Sequence, residues 1–210
     1  SRPDLRVVNS IMGHAALLAR ALDAVVTTSP PRLVELGAGD GTVLLRLAKR
    51  RARRWPNAHV TLLDTQPTVT PATLAALREL GWTVDVVAAD ALEWLEQSRP
   101  DSETLVLANL FVHHFEGERL ARLLAGAAAK AAAFVCCEPR RARLALLGSH
   151  LLWAIGCNDV TRHDAVVSVH AGFRDHELTA EWDRTAGRGW STDEAPAGAF
   201  THLFIARRAR

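Results

Sequence analysis

Five short apolar runs between residues 32 and 137 alternate with stretches whose apolar residues recur at helical spacing, and this alternation constrains the fold more than any other feature. The runs cover residues 32–36, 59–64, 82–87, 104–109 and 132–137. Strands joined through helices lie parallel, and a parallel sheet needs helices on both faces. The helical stretches begin at Val43, span 71–80 with a stop at Gly81, and then occupy 91–97 and 116–130. In the last of these, Leu120, Leu123, Leu124 and Ala127 share one face. Residues 9–24 have the same spacing and end before Ser29-Pro30-Pro31.

The final third departs from this rhythm. An apolar helix is predicted over 143–155, then a polar, histidine-bearing stretch over 156–173. Residues 175–184 read as a helix with Leu178 and Trp182 four apart. Strands over 190–194 and 200–206 flank a turn at Pro196-Ala197-Gly198, and so short a connection implies an antiparallel pair. No linker or repeat divides the chain, so residues 1–210 are expected to form a single domain. Residues 1–28 would be an N-terminal helical cover, and 140–173 an insertion on the substrate side.

Composition narrows the classes. With 49% hydrophobic residues and mixed charge, the chain has the material for a core. A formal charge of +2 gives no strong field for nucleic acid, and no nucleic-acid partner is expected. The run Lys49 to Arg54 reads as cations favouring a helix carboxyl end. Cys136, Cys137 and Cys157 do not suggest a disulfide framework, which points to a reducing cytoplasm. No secretory leader is read at the start, and no apolar run approaches the ~20 residues of a membrane span.

The chemistry begins after the first run. Ligands of open parallel sheets bind beyond the carboxyl ends of the strands, where Gly37, Gly39 and Gly41 stand. Glycine permits a tight turn and a close ligand approach. The spacing is Gly-x-Gly-x-Gly, not the Gly-x-Gly-x-x-Gly of a dinucleotide pyrophosphate site. Glu35 puts a carboxylate beside that turn, which suits a ligand carrying an ammonium and a sulfonium better than one carrying a diphosphate.

Residues 35–41, Glu-Leu-Gly-Ala-Gly-Asp-Gly, match in full the first motif of the class I methyltransferases, and the resemblance to that family extends over essentially the whole chain, including the final antiparallel pair. The resemblance implies an α/β, Rossmann-like three-layer sandwich. Its seven-stranded sheet would be mostly parallel with an antiparallel last strand. It also implies S-adenosyl-L-methionine as methyl donor and S-adenosyl-L-homocysteine as product. Glu35, Gly37, Ala38, Gly39 and Gly41 would line the donor's turn, and Asp64 would hold its ribose hydroxyls, with Thr65 adjacent. Asp90 would meet the adenine amine beside Ala91, although Asp90 and Glu93 also have capping-box spacing. Asn109 and Leu110 would border the departing methyl.

The acceptor is less defined. Loss of a proton helps a phenol or enol to attack, and histidine has the ordinary pKa for that task. His114, His163 and His170 are the candidate bases. Met12, His113, Trp153, Asn158 and Arg162 are candidates for holding the acceptor. The stretch 156–173 reads either as a lid or as a solvated loop. Glu138 reads as a pocket acid or, preferably, as a salt-bridge partner of Arg140 or Arg141. No metal site is expected, because zinc spacings and clustered acids after the fourth strand are missing. The tail, with Asn158-Asp159-Val160-Thr161-Arg162-His163-Asp164 and a later Gly172-Phe173, resembles small bacterial methyltransferases of polyketide or phenolic-lipid tailoring, which implies oxygen methylation, with carbon methylation second. A non-catalytic donor-binding module and an RNA or DNA methyltransferase are the alternatives.

Overall fold

The computed structural model describes residues 13–26, 32–97, 104–142 and 170–209. Seven strands form one sheet in the order β3-β2-β1-β4-β5-β7-β6. These are β1 Arg32–Leu36, β2 His59–Asp64, β3 Thr83–Ala88, β4 Thr104–Asn109, β5 Ala133–Pro139, β6 Trp190–Pro196 and β7 Thr201–Arg208. β1 to β5 pair in parallel, whereas β7 runs antiparallel to both β5 and β6. The expected α/β architecture is therefore observed, with β7 as the reversed strand.

Burial follows position in the sheet. β4 and β5 lie centrally and are buried at every residue, as expected for strands covered on both faces. β3 lies at an edge, and Thr83, Asp85 and Val86 reach solvent. One face packs on α1 (His14–Val25), α2 (Thr42–Arg51) and α3 (Pro71–Glu79), which contribute Leu18, Leu44 and Leu77 to a core with Leu33, Leu107 and Val135. The other packs on α4 (Ala91–Gln97), α5 (Gly117–Lys130) and α6 (Glu177–Thr185), through Leu95, Leu124 and Trp182 against Val106 and Phe134. Trp182 is fully buried and stacks on Phe134 at 5.5 Å. Truncating it to alanine would cost about 3–5 kcal/mol.

Local chemistry sets several boundaries. α3 starts where the Thr70 hydroxyl accepts from Thr73 N–H (3.1 Å) with proline in the first turn. The third strand starts at Thr83, one residue later than its apolar run. Trp82 instead turns back, and its indole N–H donates to the Trp55 carbonyl (3.0 Å). β5 outruns its apolar sequence by two residues, Glu138 and Pro139, because β7 supplies partners that far: Glu138 faces His202 and Pro139 faces Thr201.

The helix predicted over 143–155, and most of the stretch 156–173, lie outside the described residues. The end of that stretch returns to the sheet. Phe173 N–H donates to the Pro139 carbonyl (3.0 Å), and Arg141 N–H donates to the Phe173 carbonyl (2.9 Å). A Cβ on Gly172 would fall 2.2 Å from the Pro139 carbonyl oxygen, so glycine permits this close return. Among the described residues no helix is long and apolar enough to cross a membrane.

Candidate active site at the carboxyl ends of the strands

The glycine turn is tied to the end of β2. Ala38 N–H donates to the Leu63 carbonyl (3.0 Å), and Gly39 N–H donates to Asp64 Oδ2 (2.9 Å). Gly37 has φ 68°, and a Cβ there would lie 2.2 Å from Phe111 Cδ2. The Phe111 ring therefore lies directly on the bare backbone of Gly37. Leu110, just after β4, has φ 52° and redirects the chain immediately before Phe111. A non-glycine residue in that region carries strain of about 1–3 kcal/mol.

Beside this turn lies a cleft of about 200 Å³. Leu63, Asp64 and Thr65 form one wall, Ala89, Asp90 and Ala91 another, and Phe111, Phe115 and Arg119 close it above Gly37. Each Asp64 oxygen takes one backbone N–H, Oδ2 from Gly39 and Oδ1 from Gln66 (2.8 Å). Each retains accepting capacity, so the carboxylate can also take a pair of vicinal hydroxyls. Asp90 Oδ1 caps α4 by accepting from Leu92 N–H (2.8 Å) and Glu93 N–H (3.3 Å). The cap and a place in the cleft wall coexist, as the spacing allowed. Phe115 meets Phe111 edge-on at 5.1 Å, and the Arg119 guanidinium lies 5.3 Å over the Phe115 ring.

Glu35 is 2% exposed, and its Oε2 has no hydrogen-bond partner among the described residues. Burial, then the nearby Asp40 and Asp64 carboxylates, push its pKa to about 8. Asn109, also buried beside His14, has no close partner for its Oδ1 among the described residues. Orphaned buried acceptors are costly unless something supplies donors. An open carboxylate for hydroxyls, a bare glycine turn and these orphans fit a nucleoside ligand that carries a cationic amino-acid tail.

Next to the cleft stands a group that sequence reading placed wrongly. Glu138 is fully buried. Its Oε1 accepts from the N–H groups of Phe111 (3.2 Å) and Val112 (3.0 Å), and its Oε2 from His113 N–H (3.3 Å) and Nδ1 (2.7 Å). The preferred ion pair with Arg140 or Arg141 is thus corrected. β5 extends through Glu138 and turns its side chain inward, under the 3₁₀ turn Val112–His114. Arg141 pairs with Glu177 instead. The His113 and His114 rings lie 4.1 Å apart. Partial burial, then His113, lower the His114 pKa, so His114 is neutral at neutral pH.

Residues 33–131 match the family model described as a methyltransferase domain. Three solved structures show the same fold. The methyltransferase domain of bacterial CtHen1 aligns with TM-score 0.66 and 12% identity over 95% of this chain and 98% of that one. The plantazolicin methyltransferase BpumL, solved with a triazolic desmethylPZN analog and S-adenosylhomocysteine (SAH), aligns with TM-score 0.65 and 12% identity over 99% and 92%. Magnesium protoporphyrin IX methyltransferase from Synechocystis PCC 6803, with bound SAH, aligns with TM-score 0.58 and 14% identity over 94% and 83%. No curated protein matches the sequence.

Over residues 33–131 the chain is therefore similar to the methyltransferase domain family, and its fold is that of solved methyltransferases.

Of the residues expected to hold the donor, Gly37, Asp64, Thr65, Asp90 and Ala91 line the cleft. Ala38, Gly39 and Gly41 build the turn beside it, while Glu35, Asn109 and Leu110 stand at the neighbouring strand ends. Among the acceptor-side candidates, His113 and His114 come together. His114 and His170 are exposed, and neither they nor His113 line the cleft. Met12, Trp153, Asn158, Arg162 and His163 lie outside the described residues. Among the described residues no three His, Cys, Asp or Glu side chains cluster as metal ligands do.

Sequence reasoning missed Phe111, Phe115 and Arg119. The four-residue spacing of Phe115 and Arg119 across the start of α5 was a usable signal. It also missed His14, whose burial no local pattern announces.

Proposed function

We propose that this methyltransferase transfers the methyl group to a small acceptor carrying a phenolic or enolic hydroxyl, methylating oxygen, with carbon methylation of the same enol as the runner-up. The observation carrying this reading is the Glu138–His113–His114 arrangement beside the end of β4. When bound, S-adenosylmethionine supplies a methyl carbon on a sulfonium, open to in-line displacement. The chain's residues align the acceptor, exclude water and accept its proton.

The roles follow from the geometry. Glu138 takes three backbone N–H groups and one His113 ring nitrogen, which fixes both the 3₁₀ turn and the His113 ring. His113 in turn backs His114. His114 reaches the surface in neutral form, with a lone pair for the hydroxyl proton. A small acceptor is supported by the names of two fold relatives, which act on plantazolicin and magnesium protoporphyrin IX. A nucleic-acid surface is disfavoured by pairing within the basic run. Arg51 and Arg54 both reach Asp23 on α1, at 2.6 and 3.3 Å.

The test is a pH–rate profile on a series of phenols of graded acidity. The unaltered enzyme should lose activity on the acid side with an apparent pKa below 6.5, the direction of the His114 shift. His114→Gln should cost about a hundredfold on weakly acidic phenols and little on strongly acidic ones. Full activity of His114→Gln on the least acidic phenol at every pH would overturn the base assignment.

A further inference from the structure

A second buried carboxylate–histidine pair stands on the same sheet face as Glu138 and His113. His202 Nε2 lies 2.6 Å from Glu194 Oε1, and neither side chain has exposed surface. His202 is directly opposite Glu138 across the β5–β7 ladder. Residues paired in this way share a face, with Cβ atoms about 4.5–5.5 Å apart. On its other side β7 pairs with β6, where Pro196 faces His202. Side chains alternate along a strand, so Glu194 shares that face as the diagonal neighbour of His202. His202 therefore stands between two buried carboxylates, one on each flanking strand. Both act on Cys136, whose thiol is pushed up first by burial and then by Glu138, Cys137 and Glu194.

Glu194 also anchors α6. Its Oε1 accepts from Leu178 N–H (3.1 Å) and its Oε2 from Thr179 N–H (2.7 Å), donors in a first turn that the helix itself cannot satisfy. Burial opposes ionisation of Glu194, but hydrogen bonds from His202, Thr179 and Leu178 hold its pKa below the usual carboxylate range. Stability alone does not account for a histidine at 202. Its Nδ1 has no partner among the described residues, a cost that an apolar side chain would not carry. What the pair fixes is the start of β7, at the point where β5 runs past its apolar sequence. Glu138 depends on that point. Its two oxygens hold four donors at 2.7–3.3 Å, so a small shift of β5 there disturbs the whole set. We infer that Glu194 and His202 are positioning residues for the candidate base: they hold β7 against β5, which keeps Glu138 under residues 111–113 and His113 and His114 in line. This rests on the reading of His114 as the base. With its oxygens filled, Glu138 feels His202 through the strand ladder and not through a bond to it.

Methyl transfer to phenols of graded acidity, with saturating S-adenosylmethionine, tests this. His202→Leu should lower kcat about tenfold on weakly acidic phenols, the effect of a slightly misplaced base, and little on strongly acidic ones. Its SAH affinity by calorimetry should stay within about twofold of the parent. His202→Gln, whose amide N–H reaches the Nε2 position, should recover most of the rate. An unchanged rate in His202→Leu overturns the inference. So does a uniform loss across all phenols, or an equal loss in the Leu and Gln variants, which would make the pair a packing feature. Should His202→Leu no longer bind SAH, Glu194→Gln decides. It keeps an acceptor for the first turn of α6 but loses the charge, and should show the same dependence on acidity in smaller measure; a profile parallel to the parent's overturns the inference. Full activity of His114→Gln on every phenol would instead overturn the base reading, and this inference with it. An acidity-dependent loss in His114→Gln beside a uniform one in His202→Leu overturns this inference alone.

Discussion

Replacing Glu35 by glutamine should change how stability depends on pH, by an amount the structure sets. Glu35 is buried with no partner for Oε2 among the described residues, and its pKa rises from the ordinary carboxylate value of 4.5 to about 8. Between those values the unfolded chain has released this proton and the folded chain retains it. Stability therefore falls as pH rises through that window, by up to about 1.4 kcal/mol per pH unit. The accumulated loss is roughly 3 kcal/mol at pH 7 and approaches roughly 5 kcal/mol above pH 8. Below the unfolded value both states are protonated and the term vanishes. Glutamine does not titrate, so any cost of its amide is a constant offset. Urea unfolding of both proteins from pH 5 to pH 9 isolates the slope. The variant should gain on the parent by several kcal/mol across the range. Parallel stability curves would refute the reasoning, because Glu35 would then ionise in the fold as it does in water. A saturating donor analogue supplies the missing cation, so SAH should flatten the parent's curve and release a proton near neutral pH.

Two further outcomes follow from the packing. Gly37→Ala should destabilise the fold by about 1–3 kcal/mol and abolish measurable SAH binding, because the added Cβ meets the Phe111 ring at a positive φ; thermal melts and calorimetry check both parts. Glu138→Ala should cost about 3–5 kcal/mol in chemical denaturation, since it strands three backbone N–H groups and the His113 ring nitrogen. Glu138→Gln, which keeps one acceptor, should lose less.

How far the site was legible varies by residue, for physical reasons. Asp64 ends an apolar run and Asp90 follows one, and a polar residue at or just past the carboxyl end of a parallel strand points to the ligand edge whatever the rest of the fold does. Gly37 was legible for a similar reason, since a turn backbone at φ 68° selects glycine locally. Glu138 was misread because arginines two and three positions away made a local ion pair attractive. Strand pairing with β7 carried β5 two residues further and turned Glu138 into the core. His14 could not be read at all. Its partner Thr201 lies 187 residues away.

By itself, then, the sequence determined the parallel α/β sheet, the glycine turn and the acids that flank it. Those features come from short-range rules: side-chain periodicity, the conformations open to glycine, and the burial that a parallel strand demands. The tertiary structure alone decided the rest of the site. It lowered Phe111 onto Gly37, folded Glu138 beneath residues 111–113, and brought His14 and Thr201 to the end of β4. Each of these is a contact between elements distant in the chain. Sheet order and packing select such contacts, and no local pattern encodes them.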